Sequence, residues 1–306
     1  MTVQSVELQK GIRKTRDRKA FEILSYSFIT LVTVLCLLPF WLVVVGSFTS
    51  EAEIYQHGYS LWPQEFSLEA YNTALKYPEK VIRAYGITVS ITVLGTFLSL
   101  LFTSTCGYAL QREDFRSRGF FTMFVFFTML FGGGLVPWYL LITNYLRLKD
   151  TYWIMILTQL VNVYFVILMK IFMRTVPKAL VEAAKIDGAG EFYTFFRIVL
   201  PLAKPALASI GMFTALNYWN EWRTGMLFLQ DSDLFPLQYY LYRLLNSVEF
   251  LKSSTVPMSS EISSLSFPSE SLKLAMTVIA TGPIILLYPF LQKYFVKGIT
   301  IGAVKG

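Results

Sequence analysis

Apolar residues are gathered along this chain into long blocks, separated by shorter polar stretches rich in charge. The blocks are Ile23–Gly46, Tyr85–Leu110, Gly119–Thr143, Tyr152–Met169, Ala206–Leu229 and Leu272–Tyr294. Each approaches or exceeds the roughly 20 apolar residues that a helix needs to cross a bilayer, so the pattern predicts an all-α integral membrane protein with six spans. Pro39 is expected to bend the first span near its far end, and Pro283 and Pro289 to kink the sixth. In the second, Gly86, Ser90, Gly95, Ser99 and Gly107 predict close helix contacts, which small residues permit in lipid. Gly132, Gly133, Gly134 and Pro137 must interrupt the third, and broken backbone at membrane depth needs protein or a water-filled cavity beside it.

The fourth and fifth blocks carry amides and acids where lipid would reject them. Gln159 and Asn162 lie in the fourth, and the fifth contains Asn217, Tyr218, Trp219, Asn220, Glu221, Trp222 and Arg223. At about 1.5 Å per residue, a continuous helix puts Glu221 roughly 24 Å beyond Pro205. Such groups either glue helices together or line a pathway. Between the blocks lie a basic arm (1–22), an external loop (47–84), a short basic loop (Gln111–Arg118), a cytoplasmic loop (176–205), a Ser-rich external loop (230–271) with an amphipathic run at Phe235–Leu245, and a basic tail (295–306).

Composition strengthens the membrane reading. Apolar residues make up 54% of the 306 residues and charged ones 15%, with a mean hydropathy of +0.50. The net charge of +7 is then a matter of topology. Basic residues gather in the arm, in the loop with Arg112, Arg116 and Arg118, in the stretch with Arg174, Lys178, Lys185, Arg197 and Lys204, and in the tail. Acids such as Glu51, Glu53, Glu65, Glu69, Asp231 and Asp233 lie on the other side. The positive-inside rule therefore places both termini and the 176–205 loop in the cytoplasm. No basic–aromatic surface points to nucleic acid. The two cysteines, Cys36 and Cys106, fall in apolar blocks and His57 is the sole histidine, which leaves no zinc pattern. The N-terminal block is longer than a signal-peptide core and has no small-residue cleavage pattern after it, so it reads as a retained anchor.

The stretch Val176–Pro205 is the longest polar interruption on the basic side. Pro177 suits a first helical turn, Lys178–Asp187 reads as a short helix, and Gly188 suits its left-handed end. Gly190 precedes a second run, Glu191–Val199, that Pro201 is expected to stop. Ala179, Leu180, Ala183 and Ala184 give the first helix a small-residue face fit for close approach, with Lys178 and Glu182 as an i,i+4 pair. Asp187 faces the negative end of the helix dipole, a conflict of about 0.3–1 kcal/mol unless a partner offsets it.

The chain has no nucleotide loop, no nucleophile elbow, no HExxH and no carboxylate pair for hydrolysis; no catalytic residue is expected. Glu182-Ala183-Ala184, Gly188, Ile198 and Leu200-Pro201 resemble, in position and spacing, the EAA signature of ABC importer permeases. Trp219-Asn220-Glu221 is similar to a motif of the carbohydrate permeases, of the maltose system's second-subunit type. Gly133–Pro137, Leu148–Trp153, Tyr288–Gly298 and Gly302–Gly306 resemble a branch linked to complex oligosaccharides and polysaccharide fragments. Arg147-Leu148-Lys149-Asp150 departs from the Gly-Leu turn frequent there.

The resemblance implies a type I permease fold in the bacterial cytoplasmic membrane, with cytoplasmic coupling helices. It also implies a second, similar permease, two ATPase subunits that hold ATP and Mg (this chain binding no cofactor), and an extracytoplasmic binding protein that delivers the sugar. Coupling then falls to Glu182, Ala183, Ala184, Asp187, Gly188, Ile198, Leu200 and Pro201, with Asp187 bracing the hinge internally. Gln159, Asn162, Asn217, Tyr218, Trp219, Asn220 and Glu221 are the candidates for the sugar pathway. Three alternatives stay open: an ion-coupled transporter using Glu221, an ABC permease for another solute, and a non-transporting sensor.

Overall fold

The computed structural model describes residues 16–253 and 269–285. The arm up to residue 15, most of the Ser-rich loop and the chain from 286 onward, including Pro289 and the C-terminal motifs, lie outside these residues. Among the described residues there are helices and one isolated antiparallel bridge, Thr49 to Phe66, but no strand. They fall into two compact units. One runs to Tyr71 and takes back the stretch ending at Val278; the other holds the rest.

The first unit begins with α1, Arg16–Ser47, a continuous helix that carries Pro39 within it. Only 6% of its apolar window is buried, the character of a surface made for lipid. Ser50 caps the short α2 (Glu51–His57) by accepting from the Glu53 N–H at 3.3 Å. The Glu53 carboxylate accepts the N–H groups of Gln64 and Glu65 at 2.9 and 2.7 Å, which closes the external loop on itself. Glu51 is buried and takes the N–H groups of Ser269, Glu270 and Ser271 at 2.9–3.0 Å. It thereby caps the last described helix, α14 (270–285), where donors are unpaired and negative charge is favoured. Burial pushes the Glu51 carboxyl up, but the backbone donors of Glu270, Ser271 and Ser269 outweigh it and hold the pKa at about 2.

The second unit is built on α4, Pro78–Gln111, which begins earlier than the apolar block because Pro78 fits its first turn. Gly95 and Gly107 act as expected, whereas Gly86 has open space around it. A Cβ on Gly95 would lie 2.6 Å from the Tyr218 ring, and one on Gly107 2.8 Å from Met169. These approaches set α4 against α11 (Lys204–Trp219) and α8 (Val163–Met173). Two apolar clusters follow along α4. One joins Ile91, Ile154, Met155, Ile156, Tyr218 and Phe228; the other joins Tyr108, Met169, Met173, Phe195, Val199 and Ile210.

The third block breaks where its glycines require, and the fourth and fifth are more broken than their apolar pattern predicts. The third block is split at Gly132–Gly134 into α5 (Arg118–Leu130) and α6 (Leu135–Tyr145), which meet at 113°; Gly134, at φ +84°, makes the corner. The fourth is two helices, α7 (Tyr152–Leu157) and α8, because Thr158–Asn162 leaves the helical path and Asn162 caps α8 through Tyr164 and Phe165 N–H. The fifth ends its long helix at Trp219, and a second one, α12 (Arg223–Phe228), starts after Trp222. The rise-based distance for Glu221 therefore does not apply. The amphipathic run extends to α13, Leu237–Ser253. Among the described residues, α1 and α4 can each cross a membrane by length and composition, and two bent pairs, α5 with α6 and Glu191–Leu202 with α11, bring the number there to at most four.

Candidate functional site: a cytoplasmic-type hinge and a polar cavity on one helix

The hinge helix α9 spans Lys178–Ile186. Its end is a Schellman closure: the Ala189 N–H reaches Ala184 O at 2.8 Å, and the Gly188 N–H reaches Lys185 O at 3.0 Å. Gly188 stands at φ +76°, a conformation that a Cβ penalises, so the expected glycine role holds. α10 follows as Glu191–Leu202 with a π-helical stretch at Thr194–Val199. Pro201 does not stop it. The proline sits in the first turn after the π stretch, where its missing N–H is cheap.

Two details of the expected hinge are corrected. Lys178 pairs with Glu113 at 2.6 Å in place of Glu182, because the basic loop folds back over α9. Asp187 is exposed, and among the described residues its carboxylate has no side-chain partner in place of the expected internal brace. Glu182 and Ala183 are also exposed, whereas Ala184 is buried. Leu200 and Pro201 are half-buried. Together with Ala184, Asp187, Gly188 and Arg197, the half-buried Ile198 lines an open groove of about 540 Å³. Ile186 and Phe192, 86% and 83% exposed, border the same corner. The sequence reading passed over these two. An apolar side chain next to a helix-ending Asp-Gly was the available signal.

What braces the hinge is Arg112, at the C-terminal cap of α4. Its guanidinium forks onto both oxygens of Glu191 at 2.8 and 3.0 Å, reaches Tyr108 Oη at 2.8 Å, and grips Asp114 through Nε at 2.7 Å and through Nη2. Lys185 of α9 closes the ring onto Asp114 at 3.1 Å and Glu191 at 3.5 Å. The Arg112 side chain is 12% exposed. The Arg112 hydrogen bonds hold the Asp114 carboxyl well below the usual carboxylate range, and Asp114 in turn raises the Arg112 guanidinium. α4, α9 and α10 are thereby clasped together.

Halfway along α4 lies the second feature, a cavity of about 200 Å³ lined by Ser99, Thr103, Thr158, Gln159, Asn162, Phe165, Thr214, Asn217 and Tyr218, with Leu160 and Val161. Tyr218 Oη donates to Ile156 O at 2.9 Å and lies 3.1 Å from Ser99 Oγ. Of the expected pathway residues, Gln159, Asn162, Asn217 and Tyr218 meet here. Trp219 does not: it is buried, and its Nε1 donates to Ala280 O at 3.0 Å. Asn220 is exposed and bonds its own helix at Leu216 O. Glu221 accepts from Gln159 Nε2 and from the Thr224 N–H at 2.7 Å, capping α12. Ser99, Thr103, Thr158 and Thr214 were missed, since isolated hydroxyl residues in apolar blocks carry no periodic signal. At the far end of α12, Asp150 takes the N–H groups of Gln230 and Asp231 at 2.9 Å. That gives the unusual Arg147–Asp150 turn a cap, with Arg147 and Asp150 at positive φ.

A helical membrane chain with a Gly-closed polar hinge clasped to a span that flanks a polar cavity has the parts of a transport permease. Residues 107–301 match the binding-protein-dependent transport system inner membrane component family, and the chain belongs to that family. LplC of Bacillus subtilis is 38% identical over 96% of this chain and 98% of its own length. The polygalacturonan/rhamnogalacturonan transport system permease protein YtcP of the same species is 38% identical over 94% and 99%. The crystal structure of a bacterial ABC transporter involved in the import of the acidic polysaccharide alginate aligns with a TM-score of 0.75 at 27% identity, covering 93% of this chain and 100% of that one. The resemblance read from the hinge therefore holds at the level of the family.

Proposed function

We propose that this chain is one permease subunit of an ATP-driven importer for an oligosaccharide or polysaccharide fragment, delivered by an extracytoplasmic binding protein. The names of the relatives support the substrate class, and the cavity supports it chemically: hydroxyls, planar amides and an aromatic edge suit a ligand rich in hydroxyls. On this reading the chain crosses the membrane six times, through α1, α4, the bent α5–α6 pair, α7–α8, the α11–α12 pair and α14, with both termini and the hinge in the cytoplasm. A second, similar permease completes the pathway, and two ATPase subunits bind ATP and Mg below.

The observation that carries the mechanism is the Arg112 clasp. Glu182, Ala183, Asp187, Gly188 and Ile198, with Ile186 beside them, present the face that docks on an ATPase. Leu200 and Pro201 hold α10 in register behind it. When the ATPases close, α9 moves with them, and the ion pairs to Glu191 and Lys185 make α4 move too. α4 carries Gly95 and Ser99 against Tyr218, so the motion reaches the cavity wall. Gln159, Asn162, Asn217 and Tyr218 are the proposed sugar contacts, and Trp219 and Glu221 hold the surrounding helices. Among the described residues that line the cavity none bears a charged side chain, so the carboxylate of an acidic sugar would find its counter-charge elsewhere, on another subunit in this reading. Both Glu221 oxygens are already engaged, which speaks against an ion-coupled transporter using that carboxylate.

The test is uptake in reconstituted vesicles holding both permeases, the ATPase and the binding protein. Gly188→Pro and Glu182→Lys are expected to abolish uptake while the binding protein still takes up sugar normally. Undiminished uptake in both variants sinks the reading.

A further inference from the structure

On the seam between α5 and α8, Lys170 is half-buried, and its Nζ donates to Thr122 Oγ1 at 2.8 Å. Thr122 Oγ1 in turn donates a hydrogen bond to Arg118 O at 2.7 Å, which places the first residue of α5 next to the lysine. Arg174, the C-terminal cap of α8, lies one turn beyond Lys170. Both arginines are close enough to act on Lys170 electrostatically. Among the described residues no carboxylate pairs with Lys170, Arg118 or Arg174. Glu113 feels the two arginines but is itself taken by Lys178 at 2.6 Å.

A half-buried cation held by one hydroxyl, with two more cations beside it, lacks the counter-charge that burial requires. The surroundings say what kind of anion fits. α5 buries no residue along its length, and Phe121, Phe124 and Ile171 are exposed around the seam; in a membrane protein such surface is covered by acyl chains. A basic pocket between helix ends at the interface suits an anionic lipid headgroup, and the lysine stem can lie along apolar surface while its head reaches the polar layer.

We propose that Lys170, Arg118 and Arg174 bind the phosphate headgroup of an anionic phospholipid whose acyl chains lie along the α5–α8 seam. This rests on the membrane placement of α5 and α8 and is independent of the sugar and of the coupling role. The experiment takes the assembled transporter into nanodiscs of phosphatidylcholine with a minority of phosphatidylglycerol, and counts retained lipids by native mass spectrometry. Wild type is expected to enrich phosphatidylglycerol. Lys170→Gln should retain it about fivefold less well, from the loss of one interfacial cation, and Lys170→Arg should restore it. Arg174→Gln, at an exposed position, should show a smaller loss. Equal retention in wild type and both Gln variants overturns the site. Displacement of the lipid by inorganic phosphate alone overturns its lipid character. Loss of the second permease with unchanged lipid selectivity assigns the cations to a partner's carboxylate and also overturns it.

Discussion

The two working regions of α4 are held by different physics. At its C-terminal end Arg112 is joined to Glu191 and Asp114, and Lys185 to the same two carboxylates, by charge-assisted bonds on partly solvated side chains. Halfway along, Gly95 and Ser99 are fitted to Tyr218 by shape, with the ring closer than any side chain at position 95 would permit. Ion pairs near water are soft: each contributes little, and the set can lengthen or re-pair as helices shift. Close packing is stiff, because the interior tolerates neither gaps nor overlaps. A lever with a compliant joint at the motor and a rigid fit at the cargo would transmit motion without losing register at the cavity.

The largest expected effect tests the rigid end. Gly95→Val puts branched carbon into the Tyr218 ring, which cannot step aside without giving up Ile156 O and Ser99; overpacking of this kind costs about 1–3 kcal/mol or more. Thermal unfolding of the purified complex should fall clearly and uptake should be lost. A variant as stable and active as wild type would remove the rigid half of the contrast. Next comes Tyr218→Phe, which keeps the ring but removes its hydrogen bonds to Ile156 O and Ser99, at a cost of about 0.5–1.5 kcal/mol, read in the same unfolding assay.

At the soft end, Arg112→Ala should leave folding largely intact but separate the two activities, with ATP hydrolysis persisting while uptake drops. A double-mutant cycle of Arg112→Ala with Glu191→Gln should give a coupling of about 1 kcal/mol or less. A coupling several times larger would make this end stiff as well. The clasp should also respond to acid. Asp114 has a folded pKa below its ordinary value, so its contribution is fully present above that ordinary value and is lost as pH falls through the depressed one. Crosslinking between cysteines placed at 113 and 178, which face each other and leave Asp114 in place, should accordingly loosen only in strong acid, with the cavity unaffected. Smallest of all, Asn220→Ser at an exposed position should change stability by less than about 0.5 kcal/mol and leave uptake unchanged.

Local chemistry was readable from the chain. Gly188 after a short polar helix announced a left-handed end, and the small residues of the second block announced where helices touch, because each requirement belongs to one residue and its immediate neighbours. The breaks at Thr158–Asn162 and Asn220–Trp222 were hidden, since apolar content continues across them and only the packing of Tyr218 on Ile156 O and the cap at Glu221 shows why the helix stops. That the hinge has one exposed face and one clasped face also needed the tertiary structure. Lys178 and Lys185 could be paired along the helix or across it, and which acid they meet depends on residues 113, 114 and 191 being brought together from three elements. By itself, then, the sequence determined a helical membrane chain, its breakable points and the hinge signature. Long-range contact, which no local period encodes, decided that Arg112 links that hinge to the helix carrying the cavity.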